Sequence, residues 1–282
     1  MALIIDGRKI SQQIRDEVRD QVAAYKAQGK EITLAVVQVG EDSASTVYVR
    51  NKQRACEYTG IRSIKIALPA SITQEELLAE VDRLNRDEAV NGILVQLPLP
   101  KGLDDNAVIR AIDPLKDVDG FHPQSVGALS IGLPGFVSCT PAGIIQLLKR
   151  SGIEIEGKEC VIVGRSNIVG KPMAMLMLRE NATVTVCHTR TRDLKEVTRR
   201  ADILIAAVGR AKMFTADYIR EGAVVIDCGM DRDENGKLCG DVDFADCEPR
   251  CSAITPVPGG VGPMTVAMLM QNCLDSVRIQ AR

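Results

Sequence analysis

The segment VIVGRSNIVGKP constrains the fold of this 282-residue chain more than any other. An apolar run ends at Val163, Gly164 follows it, and Gly170 precedes Lys171-Pro172 and a second apolar run. This order predicts a strand, a tight turn and a helix, with proline in the helix's first turn. The N-terminus of such a helix can receive a pyrophosphate. Because Ser166 replaces the second glycine of G-x-G-x-x-G, a dinucleotide site and an ordinary turn both stay open.

Strand-like and helix-like patterns alternate along the whole chain. Strands are predicted at 33–39, 63–68, 92–96, 159–163, 183–187, 203–207 and 223–228. Helices are predicted at 11–28, 43–59, 73–85, 106–112, 141–150, 172–179 and 193–200, with two more beginning near 215 and 263. The Pro-, Gly- and Asp-rich stretch 114–136 is predicted to consist of loops and a domain boundary. Alternation of this kind predicts an α/β fold with a mostly parallel, doubly wound sheet in the second half.

The composition excludes several classes of protein. A length of 282 residues has room for roughly two domains. With 26% charged residues and a net charge of −2, nothing indicates a nucleic-acid partner, so we predict a small-molecule ligand. Only two histidines are present, and no metal site is predicted.

The cysteines and the N-terminus indicate a compartment. Nine scattered cysteines form no C-x-x-C pair, which favours reduced thiols in the cytosol over disulfides or zinc. The N-terminus, MALIIDGRKI, becomes charged within a few residues, unlike a signal peptide. No later stretch approaches the roughly 18 to 20 apolar residues that span a bilayer. We therefore predict a soluble cytoplasmic protein with no membrane partner.

Tyr48 and Lys52 lie four residues apart on a predicted helix, so their side chains project from one face. An amine beside a phenol in a partly dry pocket can carry protons near neutral pH. The alternative is an unrelated pair on a surface helix. Short-chain dehydrogenases also have Tyr-x-x-x-Lys, but there the pair follows the cofactor motif, whereas here it precedes Gly164 by more than a hundred residues.

Two further positions in the first half are candidates for ligand binding. Gln96 ends an apolar strand, and ligands of open α/β sheets gather at such carboxyl ends. Its amide can bind a substrate or a lysine, or it can simply end the strand. Asp117 and Asp119 precede Gly120 in KDVDGF, where a turn is the usual role of Asp-Gly. A buried aspartate can instead bind an amino-substituted heterocycle.

The residues after the strand 183–187 favour NADP over NAD. An acidic residue is expected there when the ribose hydroxyl is free, but His188, Thr189 and Arg190 stand in this place. Arg165, Thr189 and Arg190 offer positive charge and a hydroxyl donor, which suit a 2′-phosphate. Farther along, the segment from Pro258 to Gly262 can bring backbone close to a flat ligand or act only as a hinge.

Six motifs occur in order along almost the whole chain. They are YVRNK (48–52), GILVQLPLP (92–100), PLKDVDGFHP (114–123), CTPAG (139–143), GRSNIVGKP (164–172) and TPVPGGVGPMT (255–265). Together they closely resemble the bifunctional methylenetetrahydrofolate dehydrogenase/methenyltetrahydrofolate cyclohydrolase family. The chain has Thr189 where that family commonly has serine, and Ser138 where it often has proline.

The resemblance implies two domains and two activities. A catalytic, folate-binding domain would span 1–137 and a Rossmann-like NADP-binding domain 138–262, with the active site in the cleft between them. The terminal helix, 263–282, would pack back on the first domain. Methylenetetrahydrofolate would be oxidised with NADP to the methenyl compound, which is then hydrolysed to formyltetrahydrofolate. The resemblance also implies a homodimer.

The resemblance assigns roles to individual residues. Lys52 matches the catalytic lysine, Tyr48 its supporting tyrosine, Gln96 the catalytic glutamine and Asp119 the pterin-binding aspartate. The predicted cofactor-binding residues, including Arg190 from its charge, are Gly164, Arg165, Ser166, Thr189, Arg190 and Met230. The other predicted substrate-binding residues are Val95, Leu97, Pro258, Gly259, Gly260, Val261 and Gly262.

The chemistry gives Lys52 a specific task. Oxidation of a methylene flanked by two nitrogens leaves a delocalised amidinium cation and needs alignment but no base. Hydrolysis of that cation needs a proton carrier, and Lys52, tuned by Gln96, is the candidate. The alternatives are a dehydrogenase without the hydrolytic step, a dehydrogenase that uses NAD, and a non-catalytic NADP-binding sensor.

Overall fold

The structure, a computed structural model, describes residues 1–280, without the side chains of residues 43 and 44. Ala281 and Arg282, the last residues of the predicted terminal helix, lie outside the described residues. The first half contains β1 (Leu3–Ile4), α1 (Gly7–Ala27), β2 (Thr33–Val39), α2 (Ser43–Thr59), β3 (Arg62–Leu68), α3 (Gln74–Arg86), β4 (Gly92–Val95), α4 (Asp105–Ala111) and α5 (Pro123–Ile131). The second half contains α6 (Cys139–Arg150), β5 (Glu159–Val163), α7 (Gly170–Arg179), β6 (Thr183–Cys187), α8 (Leu194–Thr198), β7 (Ile203–Ala206), β8 (Val224–Asp227), β9 (Asp231–Arg232), β10 (Leu238–Cys239), α9 (Phe244–Cys247), β11 (Ala253–Ile254) and α10 (Val261–Gln280).

The chain forms two compact units. Unit 1 comprises residues 1–11 and 138–265, and unit 2 comprises residues 12–137 and the described residues from Val266 onward. Helices α1 and α10 each run from one unit into the other. The domain limits at 137 and 262 that the sequence indicates stay a prediction.

Unit 1 contains a six-stranded sheet in the order β1-β11-β8-β7-β5-β6, and all of its pairings are parallel. The central strands β5, β7 and β8 are almost continuously apolar and buried, as expected for strands covered on both faces. The chain goes from β5 to β6 on one side and then to β7 on the other. Strand order therefore reverses at β5, and ligands of such sheets bind outside the carboxyl ends at this position.

Unit 2 contains a smaller parallel sheet in the order β3-β2-β4. All seven residues of β2 and all four of β4 are buried. Val37 pairs with Val95, so the carboxyl ends of β2 and β4 lie side by side. The apolar faces of α3 and α4 cover this sheet through Leu77, Val81 and Val108. The end of β4 is thus a rigid position for the residue that follows it.

The predicted α/β class is confirmed, and several elements match it residue for residue. The predicted strands 33–39, 159–163 and 183–187 coincide with β2, β5 and β6, and the predicted helix 43–59 coincides with α2. Strands β1 and β11 have two residues each, which is too short for any periodicity to indicate them.

Two of the secondary-structure predictions are wrong. The stretch 114–136 contains helix α5, because Pro123 starts it, His122 Nδ1 accepts the N–H of Gln124, and Gly132 ends it with a φ of 75°. The helix expected near 215 is only a 3-10 turn, Ala216–Tyr218, which ends as the chain becomes extended at Ile219.

Within residues 1–280, no helix combines the length and apolarity needed to cross a membrane.

Candidate active site

Helix α2 carries Tyr48 and Lys52, and the structure brings Lys52 to the end of β4. Lys52 Nζ donates a hydrogen bond to Gln96 Oε1 at 3.0 Å. Gln96 Nε2 donates to Leu97 O at 2.7 Å, which fixes the orientation of the amide. Lys52 is half-buried and Tyr48 is 41% exposed, one turn away on the same helix. The spacing of Tyr48 and Lys52 therefore corresponds to an actual constellation in unit 2.

A second amide, which the sequence did not predict, ties α2 to the sheet. Gln38 lies on β2, beside Gln96, and is buried. Its Nε2 donates to Thr46 Oγ1 on α2 at 2.8 Å, and Thr46 Oγ1 donates to Asp42 O at 2.8 Å. The sequence feature that could have indicated Gln38 is a polar residue inside the apolar strand TLAVVQV. Helix α2 is thus held through its first turns as well as at Lys52.

Asp119 lies close enough to Lys52 for the two charges to interact. Loss of hydration raises the pKa of Asp119, and the positive charge of Lys52 partly offsets this effect. The residue itself is partly exposed. Within unit 2, Lys52 thus donates to Gln96 and its charge acts on Asp119, while the catalytic roles of these three residues stay predictions. Val95 is buried at the end of β4, while Leu97 is partly exposed beside Gln96.

The loop before Asp119 is anchored to the sheet by its backbone and by two buried side chains. Ile93 N donates to Lys116 O at 2.8 Å, which joins the loop to β4. Lys116 Nζ donates to the carbonyls of Leu84, in the last turn of α3, and of Asp87, the residue after the helix. Asn272 of α10 donates to Val118 O at 2.8 Å. Neither buried residue was a sequence candidate, because a lone Lys or Asn gives no periodic signal.

Asp117 has a structural task beside Asp119. Its carboxylate accepts hydrogen bonds from the backbone N–H groups of Phe121 and His122 and from Ser125 Oγ. Burial raises the pKa of Asp117 to about 6, although these hydrogen bonds oppose the shift. The carboxylate of Asp117 therefore fixes the chain that leads from this loop into α5.

Unit 1 contains a cavity of about 420 Å³ at the carboxyl ends of β5, β6 and β7. Gly164 lies at its base with a φ of 131°. A Cβ built on Gly164 would lie 2.2 Å from Ala207 O, and one on Gly170 would lie 2.2 Å from Gly164 O. Only glycine fits at either position, so the turn from β5 to α7 is built for close backbone approach.

Some of the predicted cofactor residues line this cavity. Gly164, Arg165 and Thr189 do, but Ser166, Arg190 and Met230 are not among the described residues on its wall. Arg190 is exposed, and its backbone N–H donates to His188 Nδ1. The other wall residues, which the sequence did not predict, are Val163, His188, Thr191, Leu194, Ala207, Val208, Arg210 and Met213. Most of them lie at or just after the carboxyl ends of β5, β6 and β7. The predicted strands could have indicated these positions, because ligands of parallel sheets bind at carboxyl ends.

Ser166 acts on helix α7. Its Oγ accepts hydrogen bonds from the N–H groups of Val169 at 3.1 Å and Gly170 at 3.4 Å. Lys171 Nζ donates to Asn167 Oδ1 at 2.7 Å in the same turn. The hydroxyl thus satisfies N–H groups at the start of α7 that lack a partner inside the helix. A contact between Ser166 and a cofactor stays a prediction.

Within unit 1, Met230 also lies close to the glycine-rich segment 258–262, which leads into the first turn of α10. A Cβ on Gly262 would lie 3.0 Å from Met230 Cε. Gly259 has a φ of 113°. A Cβ built on Gly7 would lie 1.8 Å from Gly260 O, so Gly7 and Gly260 are in close contact. The segment is therefore more than a hinge, because its backbone packs directly against the start of α1. Pro258 is exposed and Val261 is buried.

These observations define an α/β protein with a nucleotide-type cavity in one unit and a lysine–amide–carboxylate group in the other. Two family models match the chain. The catalytic domain of tetrahydrofolate dehydrogenase/cyclohydrolase matches residues 5–119, and the NAD(P)-binding domain of the same enzymes matches residues 138–281. The chain belongs to the tetrahydrofolate dehydrogenase/cyclohydrolase family.

Individual relatives agree with this assignment. The chain is 66% identical over 274 residues to the bifunctional protein FolD of Lachnoclostridium phytofermentans, covering 97% of both chains. It is 62% identical to that of Agathobacter rectalis, over 99% of this chain and 100% of the relative. A crystal structure of the bifunctional methylenetetrahydrofolate dehydrogenase/cyclohydrolase FolD from Campylobacter jejuni superposes with a TM-score of 0.97 at 47% identity, covering 99% and 100% of the two chains. The Trypanosoma brucei enzyme, solved with NADP and an inhibitor, has a TM-score of 0.94 at 40% identity, covering 100% and 99%.

Proposed function

We propose that this protein oxidises methylenetetrahydrofolate with NADP and hydrolyses the methenyl product to formyltetrahydrofolate. The Lys52–Gln96 hydrogen bond of 3.0 Å, with Asp119 beside it, carries this proposal. A sensor that only binds NADP has no need for a lysine held by an amide. The family membership and the bifunctional relatives support both activities.

For the oxidation, residues of unit 1 bind NADP. The cavity beside Gly164 fits a nucleotide, since a Cβ at this glycine would fill the turn. Arg165 and Thr189 on its wall offer positive charge and a hydroxyl to the 2′-phosphate. When bound, NADP supplies the hydride acceptor. Asp119 binds the amino-substituted ring of the folate, and Met230 and the Pro258–Gly262 segment position the reactants.

For the hydrolysis, Lys52 in its amine form takes a proton from water as the water oxygen bonds to the methenyl carbon. The same proton is then delivered to the ring nitrogen whose bond to that carbon breaks. As this bond breaks, the hydroxyl oxygen of the adduct releases the second proton of the water to solvent and becomes the carbonyl oxygen of the formyl group, which stays on the other nitrogen. Gln96 Oε1 accepts from Lys52 Nζ and so directs the lysine. Tyr48, one turn away on α2, positions Lys52 and the substrate.

An absorbance assay with methylenetetrahydrofolate and either NADP or NAD tests the function. We expect reduction of NADP and transient absorbance of the methenyl compound, followed by its decay. A methenyl product that accumulates and decays no faster than in buffer would indicate a dehydrogenase alone. Failure to reduce either cofactor would contradict the proposal and favour a binding protein.

Arg165 provides a sharper test of cofactor choice. We expect Arg165→Ala to raise the KM for NADP by about 10- to 100-fold, the effect of losing a hydrogen bond between charged groups. The KM for NAD, which lacks the 2′-phosphate, should hardly change. Arg179→Ala, an exposed arginine at the opposite end of α7, is the matched control. Equal effects of Arg165→Ala on both cofactors would exclude 2′-phosphate recognition by this residue.

We also propose a homodimer in the cytoplasm. Strand β6 lies at an edge of the six-stranded sheet, and Val186 on it is 39% exposed, which suits pairing with a second copy. Sedimentation equilibrium should give twice the chain mass, and Val186→Lys should shift the protein toward monomer. A wild-type monomer at micromolar concentration would contradict this.

The nine cysteine thiols support a reducing compartment, which cell fractionation tests.

A further inference from the structure

Two buried aspartates lie behind one wall of the nucleotide cavity. Asp227 ends strand β8 and is 3% exposed, and Asp241 follows β10 and is 0% exposed. Neither is among the described residues that line the cavity, and the chemistry above requires neither. Burial raises the pKa of Asp227 to about 6 and also raises the pKa of Asp241. Such dehydrated carboxylates are costly, so their partners indicate what they do.

Asp241 holds the turn that follows β7. Its Oδ2 accepts the N–H of Val208 at 2.7 Å, and its Oδ1 accepts the N–H of Arg210 at 2.7 Å. Val208 and Arg210 both line the cavity. Gly209 between them has a φ of 65°, so the chain reverses sharply over the carboxylate. One side chain thus fixes the conformation of this part of the wall.

Asp227 in turn holds Asp241. Asp227 Oδ1 accepts the N–H groups of Gly229 at 2.8 Å and Asp241 at 2.9 Å, and Oδ2 accepts that of Val242 at 2.9 Å. A Cβ on Gly240 would lie 2.0 Å from Asp227 Oδ2. These donors to both carboxylates are backbone N–H groups, so the pair organises loops rather than neutralising a basic side chain.

The wall that this pair fixes faces the glycine turn of the cofactor site. Ala207, the first residue after β7, has its carbonyl 2.2 Å from the place that a Cβ on Gly164 would occupy. The Val208–Arg210 turn continues directly from it. A shift of this turn therefore changes the width of the cavity and the position of the Arg210 side chain.

We propose that Asp241, held by Asp227, is a positioning residue for nucleotide binding, and that it sets NADP affinity by fixing the Val208–Arg210 turn. This inference rests on the proposed NADP-dependent activity. It concerns affinity, because none of the reacting groups assigned above touches Asp241. Hydrolysis of the methenyl compound requires no nucleotide, so the second activity of the same molecule is an internal control for folding.

The test is Asp241→Asn in the full-length protein, with both activities measured. An asparagine keeps the size but turns an N–H donor toward one of the two backbone donors. We expect the KM for NADP to rise by about 10- to 100-fold, as for one lost hydrogen bond to a charged group, with kcat at saturating NADP and the cyclohydrolase rate close to wild type. NADP binding measured by calorimetry should weaken by the same factor.

The matched control is Asp202→Asn. Asp202 also accepts a backbone N–H, that of Glu159 at 2.9 Å, but at the amino end of β5, away from the cavity. We expect this variant to lower the unfolding temperature and to leave the KM for NADP unchanged. If both variants raised that KM equally, or if Asp241→Asn left it within twofold of wild type, the inference would be wrong.

Gly209→Ala covers the case in which Asp241→Asn does not fold, as judged by loss of cyclohydrolase activity. No described atom lies within 4 Å of a Cβ at Gly209, so the substitution strains only the turn itself. A raised KM for NADP in this variant supports the inference, and an unchanged KM overturns it. A wild-type protein that hydrolyses the methenyl compound but binds no NADP would instead refute the proposed dehydrogenase activity, and this inference with it.

Discussion

Lys52→Met should lower cyclohydrolase activity by about 100- to 10,000-fold, the range of a lost general acid–base group. Dehydrogenase activity should fall far less, because removal of hydride from the methylene carbon needs no base. Methionine keeps the length and the apolar stem of lysine, so packing on α2 is preserved. Following the methenyl absorbance during turnover gives both rates, and the intermediate should accumulate.

The control for this substitution is Lys65→Met, an exposed lysine on β3 in the same unit. It removes the same charge without touching the end of β4, and both rates should stay near wild type. Gln96→Ala is a second arm, since it removes the acceptor of Lys52 Nζ and should slow hydrolysis in the same direction. Equal losses of both activities in Lys52→Met, with folate affinity unchanged, would refute the division of roles.

Gly164→Ala should raise the KM for NADP by about 30-fold or more, because strain of about 2 kcal/mol falls on the cofactor turn. The added Cβ meets Ala207 O at 2.2 Å, and the φ of 131° is unfavourable for alanine. The turn must therefore move away from β7. Cyclohydrolase activity should persist, since Lys52, Gln96 and Asp119 all belong to unit 2.

Gly157→Ala separates the close contact from the backbone strain. Gly157 lies in the same unit with a φ of 72°, but no described atom lies within 4 Å of the place that its Cβ would occupy. We expect a small decrease in unfolding temperature and no change in the KM for NADP. An unchanged KM in Gly164→Ala, with normal folding by circular dichroism, would show that NADP does not bind at this turn.

Strands and contacts could be predicted from the sequence where they depend on apolar patterns and on the order of elements along the chain. Strands β2, β5 and β6 were predicted to the residue, because each is an apolar or alternating run bounded by polar or glycine residues. The pairing of Lys52 with Gln96 followed from two positions, one on a helix and one at a strand end. Whether Lys52 and Gln96 bind folate, and whether Arg190 and Met230 contact the cofactor, stay predictions.

The sequence failed where backbone groups and short elements decide the structure. Helix α5 was missed because Gly127 and the flanking Pro and Gly residues resemble a loop, whereas local caps at His122 and Gly132 stabilise a helix there. Asp227 and Asp241 were missed because their partners are backbone N–H groups, which leave no trace in side-chain spacing. Their adjacency depends on the paths of the loops that follow β8 and β10.

The way the chain alternates between its two units has a consequence for engineering. The backbone passes from one unit to the other at residues 11–12, 137–138 and 265–266. Residues of α10 beyond 265 belong to unit 2, where Met270 Sδ accepts from Thr59 of α2 and Asn272 holds Val118. Splitting the gene after residue 137 would therefore separate the segment that carries Lys52 from the part of α10 that belongs to the same unit. Exchanging one complete unit between relatives therefore requires three splice points.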